Sequence, residues 1–392
     1  MAYPSPLRKL QEQAEAAFLQ YGNDPRPDEG AHPVELAATY GEIEAEYASM
    51  RKAVGLLDLC HRATIEVTGT ERHDFLNRMV TNQISADTPG RATRAFWLNR
   101  QGRIQADLMV LDVPDRLLLD VDIHQVESAV RTLNEFLFAE DCHIADVTQS
   151  LCHLGLCGPG AAALLDETMP SSSDSKDASP AAADMKPGQI ALRQSPGRAQ
   201  PIILERRDTV GDVGFRLLVH PQDVMQIHET IVEAGLNAGL RTVGWLAYNI
   251  ARIEGGTPLF NVDFGPDTLP HETGILDQAV SFTKGCYLGQ EVVARIQSQG
   301  KPKRVLRGLK LEGQHMPITG SYVWNVDDPN ADPIGIVTSS TPSPMLGDTV
   351  IAYAMLKTSG GDAIDSTVYV QAEGQVSKAR VSPLTFWPRP EA

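Results

Sequence analysis

No apolar run in this 392-residue chain approaches the roughly 20 residues that a membrane-spanning helix requires, so no membrane partner is expected. Basic residues are scarce: 34 Lys and Arg face 50 Asp and Glu, a formal charge of −16. That balance argues against a general nucleic-acid coat, because phosphate neutralisation needs a basic surface. Cysteine is sparse and odd in number, five in all, which points to reduced thiols and a cytoplasmic setting. The opening MAYPSPLRKLQEQAEAAFLQYG carries acids where a signal peptide needs an apolar core. It reads instead as an amphipathic helix with Leu7, Leu10, Ala14, Phe18 and Leu19 on one face.

The pairs Cys142-His143 and Cys152-His153 do not repeat a zinc spacing, and both sit in apolar, strand-like surroundings. They read as structural cysteines, and no metal is expected. The length predicts two or three domains. One low-complexity stretch, Pro170 to Gly188, is too poor in apolar residues to offset its ordering and reads as a flexible surface insertion.

Between Ala63 and Gly158 strand patterns ATIEVTG, RATRAFWLN, RIQADLMVLDV and RLLLDVD alternate with helix patterns at Glu71 to Val80 and in HQVESAVRTLNEFLF. Short turns between neighbouring strands, such as Arg100-Gln101-Gly102, imply α+β architecture with antiparallel sheet. After the insertion, IILERR and GFRLLVH read as strands, and Pro221 to Glu233 and TVGWLAYNIARIE as helices. Beyond Gly300 six short strand candidates follow, separated by Gly, Pro and Asp turns. They suggest a β-barrel over residues 301–392, set against a first region of residues 1–300.

The densest chemistry lies in KGCYLGQE, Lys284 to Glu291. From Lys284 to Lys310 seven basic residues meet a single acid, in a chain that is otherwise acidic. Charge of the wrong sign points to an anionic partner there. GQEVVARIQSQG reads as a helix with a Glu291–Arg295 pair and Gly300 as a left-handed C-terminal cap. Cys286 would then precede a helix N-terminus with the Lys284 ammonium close by, and both favour a thiolate. The plainer alternative is a buried cysteine in a tight turn. Glu254 ends a helix just before Gly255-Gly256, where its carboxylate could accept two parallel N–H bonds from a pterin-like edge. It could equally pair with an arginine such as Arg252 on the surface. Asp107 interrupts a strand and either faces solvent or lines a cavity. The run Lys301, Lys303, Arg304 and Arg307 has the charge to hold a polyglutamate tail.

In this order the pieces resemble the YgfZ-type folate-binding proteins, relatives of the glycine-cleavage T-protein. The resemblance rests on LPHETGILDQAVSFTKGCYLGQEVVARI, GLLDLCHRATIEVTG, TNQI, NRQGRIQADL, ARIEGG and PIGIVTSSTPSPMLG. It covers nearly the whole chain apart from the extreme N-terminus and the insertion. It implies two ferredoxin-like α+β folate-binding subdomains and a small C-terminal barrel in a ring-like arrangement around tetrahydrofolate. By resemblance Glu254 would hold the pterin, with Arg252, Tyr287, Gln290 and Glu291 as further folate contacts. Asp107 matches the second acid of the T-protein's pair, and Cys286, Lys284 and Asp107 are the residues implied to carry chemistry. The first acid of that pair is Ala106 here, and KGCYLGQE is absent from the T-protein branch. The expected role is therefore support of iron–sulfur cluster assembly or repair in client enzymes, including tRNA-modifying ones. The alternative is folate-dependent aminomethyl transfer.

Overall fold

The computed structural model describes residues 5–22, 34–87, 89–171, 180–194 and 200–387. Two sheets and a barrel carry the fold, as the α+β expectation with a C-terminal barrel requires. The first sheet has six strands in the order Ile190–Arg193, Ile202–Arg206, Gly214–Val219, Cys152–Cys157, Val54–Asp58 and Leu240–Val243. All its pairs are antiparallel except the last. The second, wholly antiparallel sheet runs Ala92–Leu98, Ile104–Val113, Arg116–Asp122, Arg62–Thr68 and His143–Asp146. The six strand candidates beyond Gly300 form one closed barrel, Arg304–Leu311 through Gln375–Ser382.

Each sheet buries one face under its own helices. Phe75 and Leu76 of the helix Arg72–Met79 and Leu133 of Val126–Asn134 pack on Ile65, Val67, Trp97 and Leu108 of the second sheet. Leu164 and Leu165 of Ala161–Thr168 and Ile231 of Val224–Gly235 do the same for Leu56, Leu156 and Leu217 of the first. Each such side chain contributes about 1.5–3 kcal/mol by leaving water. The other faces of the two sheets meet through Leu111, Val113 and Leu118 on one side and Ile190, Ile203 and Leu218 on the other. Strand period two then sorts Ile104–Val113: Ala106 and Leu108 face the helix-covered core, and Asp107 and Met109 face the first sheet.

Four local expectations are corrected. The N-terminal helix spans only Arg8–Gln13. Glu15 turns at φ 55°, and Phe18 and Leu19 continue in a strand, Ala17–Tyr21, paired with Val34–Thr39. The segment TVGWLAYNIARIE splits into the edge strand Leu240–Val243 and the helix Trp245–Glu254. Gly244 stands between them because a Cβ there would lie 2.3 Å from the Ala38 carbonyl oxygen. Gly300 is extended rather than left-handed. Residues 172–179 of the expected insertion lie outside the described residues, but its second half is stitched into the body. Ala182 and Met185 are buried, and Gly188 exchanges backbone hydrogen bonds with Ala92 and Arg206. Among the described residues no helix is long and apolar enough to cross a membrane.

Candidate functional site

Where the sheets diverge they leave a cavity of 220 Å³. Its walls are polar for a simple topological reason. Strand alternation that puts leucine into each outer core puts the intervening residues toward the gap. Five arginines (Arg62, Arg94, Arg206, Arg207 and Arg216) and three carboxylates (Asp107, Glu205 and Asp208) line it, with His61, Tyr248 and Gln278. Asp107 is therefore a cavity residue and not a solvent-facing one. Arg94 grips it at both oxygens, Nε to Oδ1 at 3.0 Å and Nη2 to Oδ2 at 2.5 Å. A carboxylate so fixed still has lone pairs free to accept from a ligand.

Behind the wall lies a denser network. Asp120 is fully buried and accepts from Arg62 Nε at 2.6 Å and Arg207 Nη1 at 2.5 Å. Arg207 also donates twice to Glu205, at 2.7 and 2.5 Å, and Arg206 pairs with Asp208 at 2.6 Å. Burial alone would raise the Asp120 carboxyl, but Arg62, Arg207 and Arg216 together hold it well below the usual range. Two buried histidines border the cluster. His61 and His153 are both pushed down by burial, His153 to about 3, and His153 Nε2 lies 2.7 Å from Thr64 Oγ1.

Glu254 does not reach the cavity. It is wholly buried at the end of its helix and accepts from Arg51 Nη2 at 2.5 Å, Tyr47 Oη at 2.6 Å and Ser343 Oγ at 2.5 Å. The surface pair with Arg252 does not form: Glu254 is buried and takes its three donors from Arg51, Tyr47 and Ser343. Arg252 is also fully buried. It pairs with Asp263, donates to Ser339 at 2.7 Å and lies over the Tyr353 ring. Ser339 and Ser343 belong to one barrel strand, so both residues fasten the helix Trp245–Glu254 to the barrel.

The family model described as the GCVT N-terminal domain matches residues 8–284, and that of the glycine cleavage T-protein C-terminal barrel domain matches residues 304–387. The chain belongs to the glycine-cleavage T-protein family. A curated relative, aminomethyltransferase of Bacillus subtilis (strain 168), is 28% identical over 356 residues, 91% of this chain and 93% of the relative. Aminomethyltransferase of Corynebacterium aurimucosum is 27% identical over 386 residues, 98% of each. In the solved structures, the glycine cleavage system aminomethyltransferase T of Bartonella henselae superposes with a TM-score of 0.82 over all of both chains, at 21% identity.

Within this T-protein framework KGCYLGQE is a clamp. Lys284 turns its ammonium to the carbonyls of Asn77, Val80 and Asn82, at 2.5, 2.7 and 2.9 Å. All three N–H donors are thereby used, two at the C-terminal end of the helix Arg72–Met79 and one on the TNQI stretch just beyond it. Burial pushes Lys284 down to about 8. Tyr287 is buried in the core that joins the barrel to the second sheet, and its backbone N–H donates to Gln290 Oε1. Gly289 stands at φ +80° against the Asn99 carbonyl, 2.7 Å from where a Cβ would sit, so the segment rests on the 100–102 turn. The TNQI stretch ties the same region. Thr81 donates to the Ala279 carbonyl and accepts from Phe96 N, and Asn82 reaches the Gln278 carbonyl. Cys286 is exposed rather than buried in the turn; Glu291 and Arg295 are also exposed and form no ion pair among the described residues. The basic run beyond it misses the cavity too, with Arg304 paired to Glu272 and Arg307 to Asp362.

Of the residues expected at a folate site, Asp107 alone lines the cavity. The arginines and acids of ERRD, Glu205 to Asp208, and Arg216 in the apolar GFRLLV line it without being among the residues expected from sequence. A charge inside an otherwise apolar strand was the available signal, since such a residue must find a partner or a cavity. Lys284→Met is expected to cost about 1.5–3 kcal/mol in urea unfolding, because three part-buried carbonyls lose a charged donor. Cys286→Ser should stay within about 0.5 kcal/mol, as exposed substitutions do. Equal losses for the two variants would contradict the clamp.

Proposed function

We propose that the cavity between the sheets binds tetrahydrofolate by its ring, and that the chain is a YgfZ-type factor supporting assembly or repair of iron–sulfur enzymes, including tRNA-modifying ones. The observation that carries folate binding is the Asp107–Arg94 pair on the wall of a 220 Å³ cavity. A pterin edge presents both N–H donors and a carbonyl acceptor, and the wall offers carboxylates and guanidiniums side by side. Cys286 on the outer surface, held there by the Lys284 clamp, suits contact with a client protein rather than with the bound ring.

Aminomethyl transfer is the second reading, favoured by Asp107 itself. Alternation buries position 106 in the outer core, so Ala106 removes no acid from the cavity wall. Tetrahydrofolate titration tests the common ground. Saturable binding is expected, weakened about tenfold or more in Asp107→Asn, as expected for a hydrogen bond to a charged group. A wild-type protein that shows no saturation sinks both readings. Formation of methylene-tetrahydrofolate from an aminomethyl-lipoyl carrier, lost with Asp107→Asn and kept in Cys286→Ala, would select the transferase. Iron–sulfur enzyme activity in a deletion strain, restored by wild type and not by Cys286→Ala, would select the YgfZ-type role.

A further inference from the structure

We propose that the floor of this cavity is a subsite for a small monoanionic carboxylate, gripped by Arg216. The other lining arginines are answered by acids: Arg94 by Asp107, Arg206 by Asp208, Arg207 by Glu205 and Asp120, and Arg62 by Asp120. Arg216 is not. It is 6% exposed, its Nη1 is buried without a hydrogen-bond partner, and its closest acid oxygen, Asp120 Oδ2 at 3.9 Å, already accepts from Arg207. Arg62, Arg207 and Arg216 stand among three carboxylates, Asp120, Glu205 and Asp122, the last opposite Arg62 in the sheet, and of the three guanidiniums only that of Arg216 has no acid oxygen nearer than 3.9 Å.

Burying such a charge is costly unless something pairs with it. A water molecule can satisfy an N–H but cannot cancel the charge, whereas an anion does both. A monoanion meets the one lining arginine left without a close acid, and a phosphate dianion would bring a second charge with no such partner. The planar fork of a guanidinium fits a carboxylate edge. Room for the anion is the 220 Å³ cavity itself, which Arg216 lines together with Arg207 and Tyr248. His61 completes the floor. It lines the same cavity, its Nδ1 is buried without a partner, and burial keeps its ring neutral, so it can donate to an anion without adding charge.

The subsite goes beyond the folate reading and does not need it. Calorimetric titration of the full chain with sodium formate and sodium acetate at constant ionic strength, with and without tetrahydrofolate, tests it. Saturable binding is expected, weakened about tenfold or more in Arg216→Gln. Should Arg216→Gln fail to fold, Arg216→Lys keeps the charge but loses the fork, and acetate should again weaken about tenfold. Absence of saturable formate or acetate binding, undiminished binding in the folded variant, or equal affinity for chloride would each overturn the proposal. Carboxylate binding without tetrahydrofolate binding would overturn only the folate reading.

Discussion

Glu254→Ala is expected to destabilise the protein by about 3–5 kcal/mol, the usual consequence of removing one partner of a buried ion pair. Arg51 is the reason. Its side chain is 3% exposed, and Glu254 is its closest counter-charge at 2.5 Å. Without the carboxylate, Arg51 keeps bonds to the Val210 and Ala251 carbonyls, but its charge stays in place with no acid to meet it. Tyr47 and Ser343 lose an acceptor at the same stroke. Glu254→Gln preserves shape and one carbonyl acceptor, so its loss should be smaller than that of alanine. Guanidinium-induced unfolding of the three proteins measures both. An alanine variant within about 1 kcal/mol of wild type would mean that the clasp contributes little to stability.

The second large effect is acid lability. His153 has a folded-state value of about 3 because it is buried, and an unfolded histidine titrates near 6.5. Between those values the unfolded chain binds a proton that the folded chain refuses. Stability therefore falls as pH drops through that window, by up to about 1.4 kcal/mol per pH unit for one histidine. His61 is shifted in the same direction and adds to the slope. Asp120 works in a lower range. Its depressed value contributes stability above the ordinary carboxylate range, near 3.9, and that contribution is lost as pH falls below it. Unfolding free energies measured from pH 7 to pH 4 should decline steeply for wild type and about 1 kcal/mol per unit less steeply for His153→Gln. Parallel profiles for the two proteins would rule out His153 as the source.

Much of the architecture was legible because it is written in short-range periodicity. RLLLDVD and QVSKARVS coincide with strands Arg116–Asp122 and Gln375–Ser382, and the texture change after Gly300 marks a real closed barrel. Sequence pattern and structure part where a local pattern serves a distant partner. Phe18 and Leu19 fit a helical stripe, yet they pair with a strand some twenty residues on. Met185 sits in a segment of disordered composition, but one apolar side chain in the right place is enough to be buried.

The site divides in the same way. Asp107 could be picked out because an acid in an apolar strand is costly unless it faces water or a cavity, and here alternation turns it inward to the cavity. Glu254 and Lys284 are equally unusual in the sequence, and in the structure both hold the scaffold together. Sequence alone determined which residues could not be ordinary, since a buried charge is unfavourable wherever it sits and a left-handed backbone is costly for any residue with a Cβ. Only the tertiary structure decided what each one is for. Arg51 and Glu254 lie 203 positions apart, and Lys284 lies 207 from Asn77. No local rule carries that information, because a partner's identity depends on which strands pair and which faces they turn to one another.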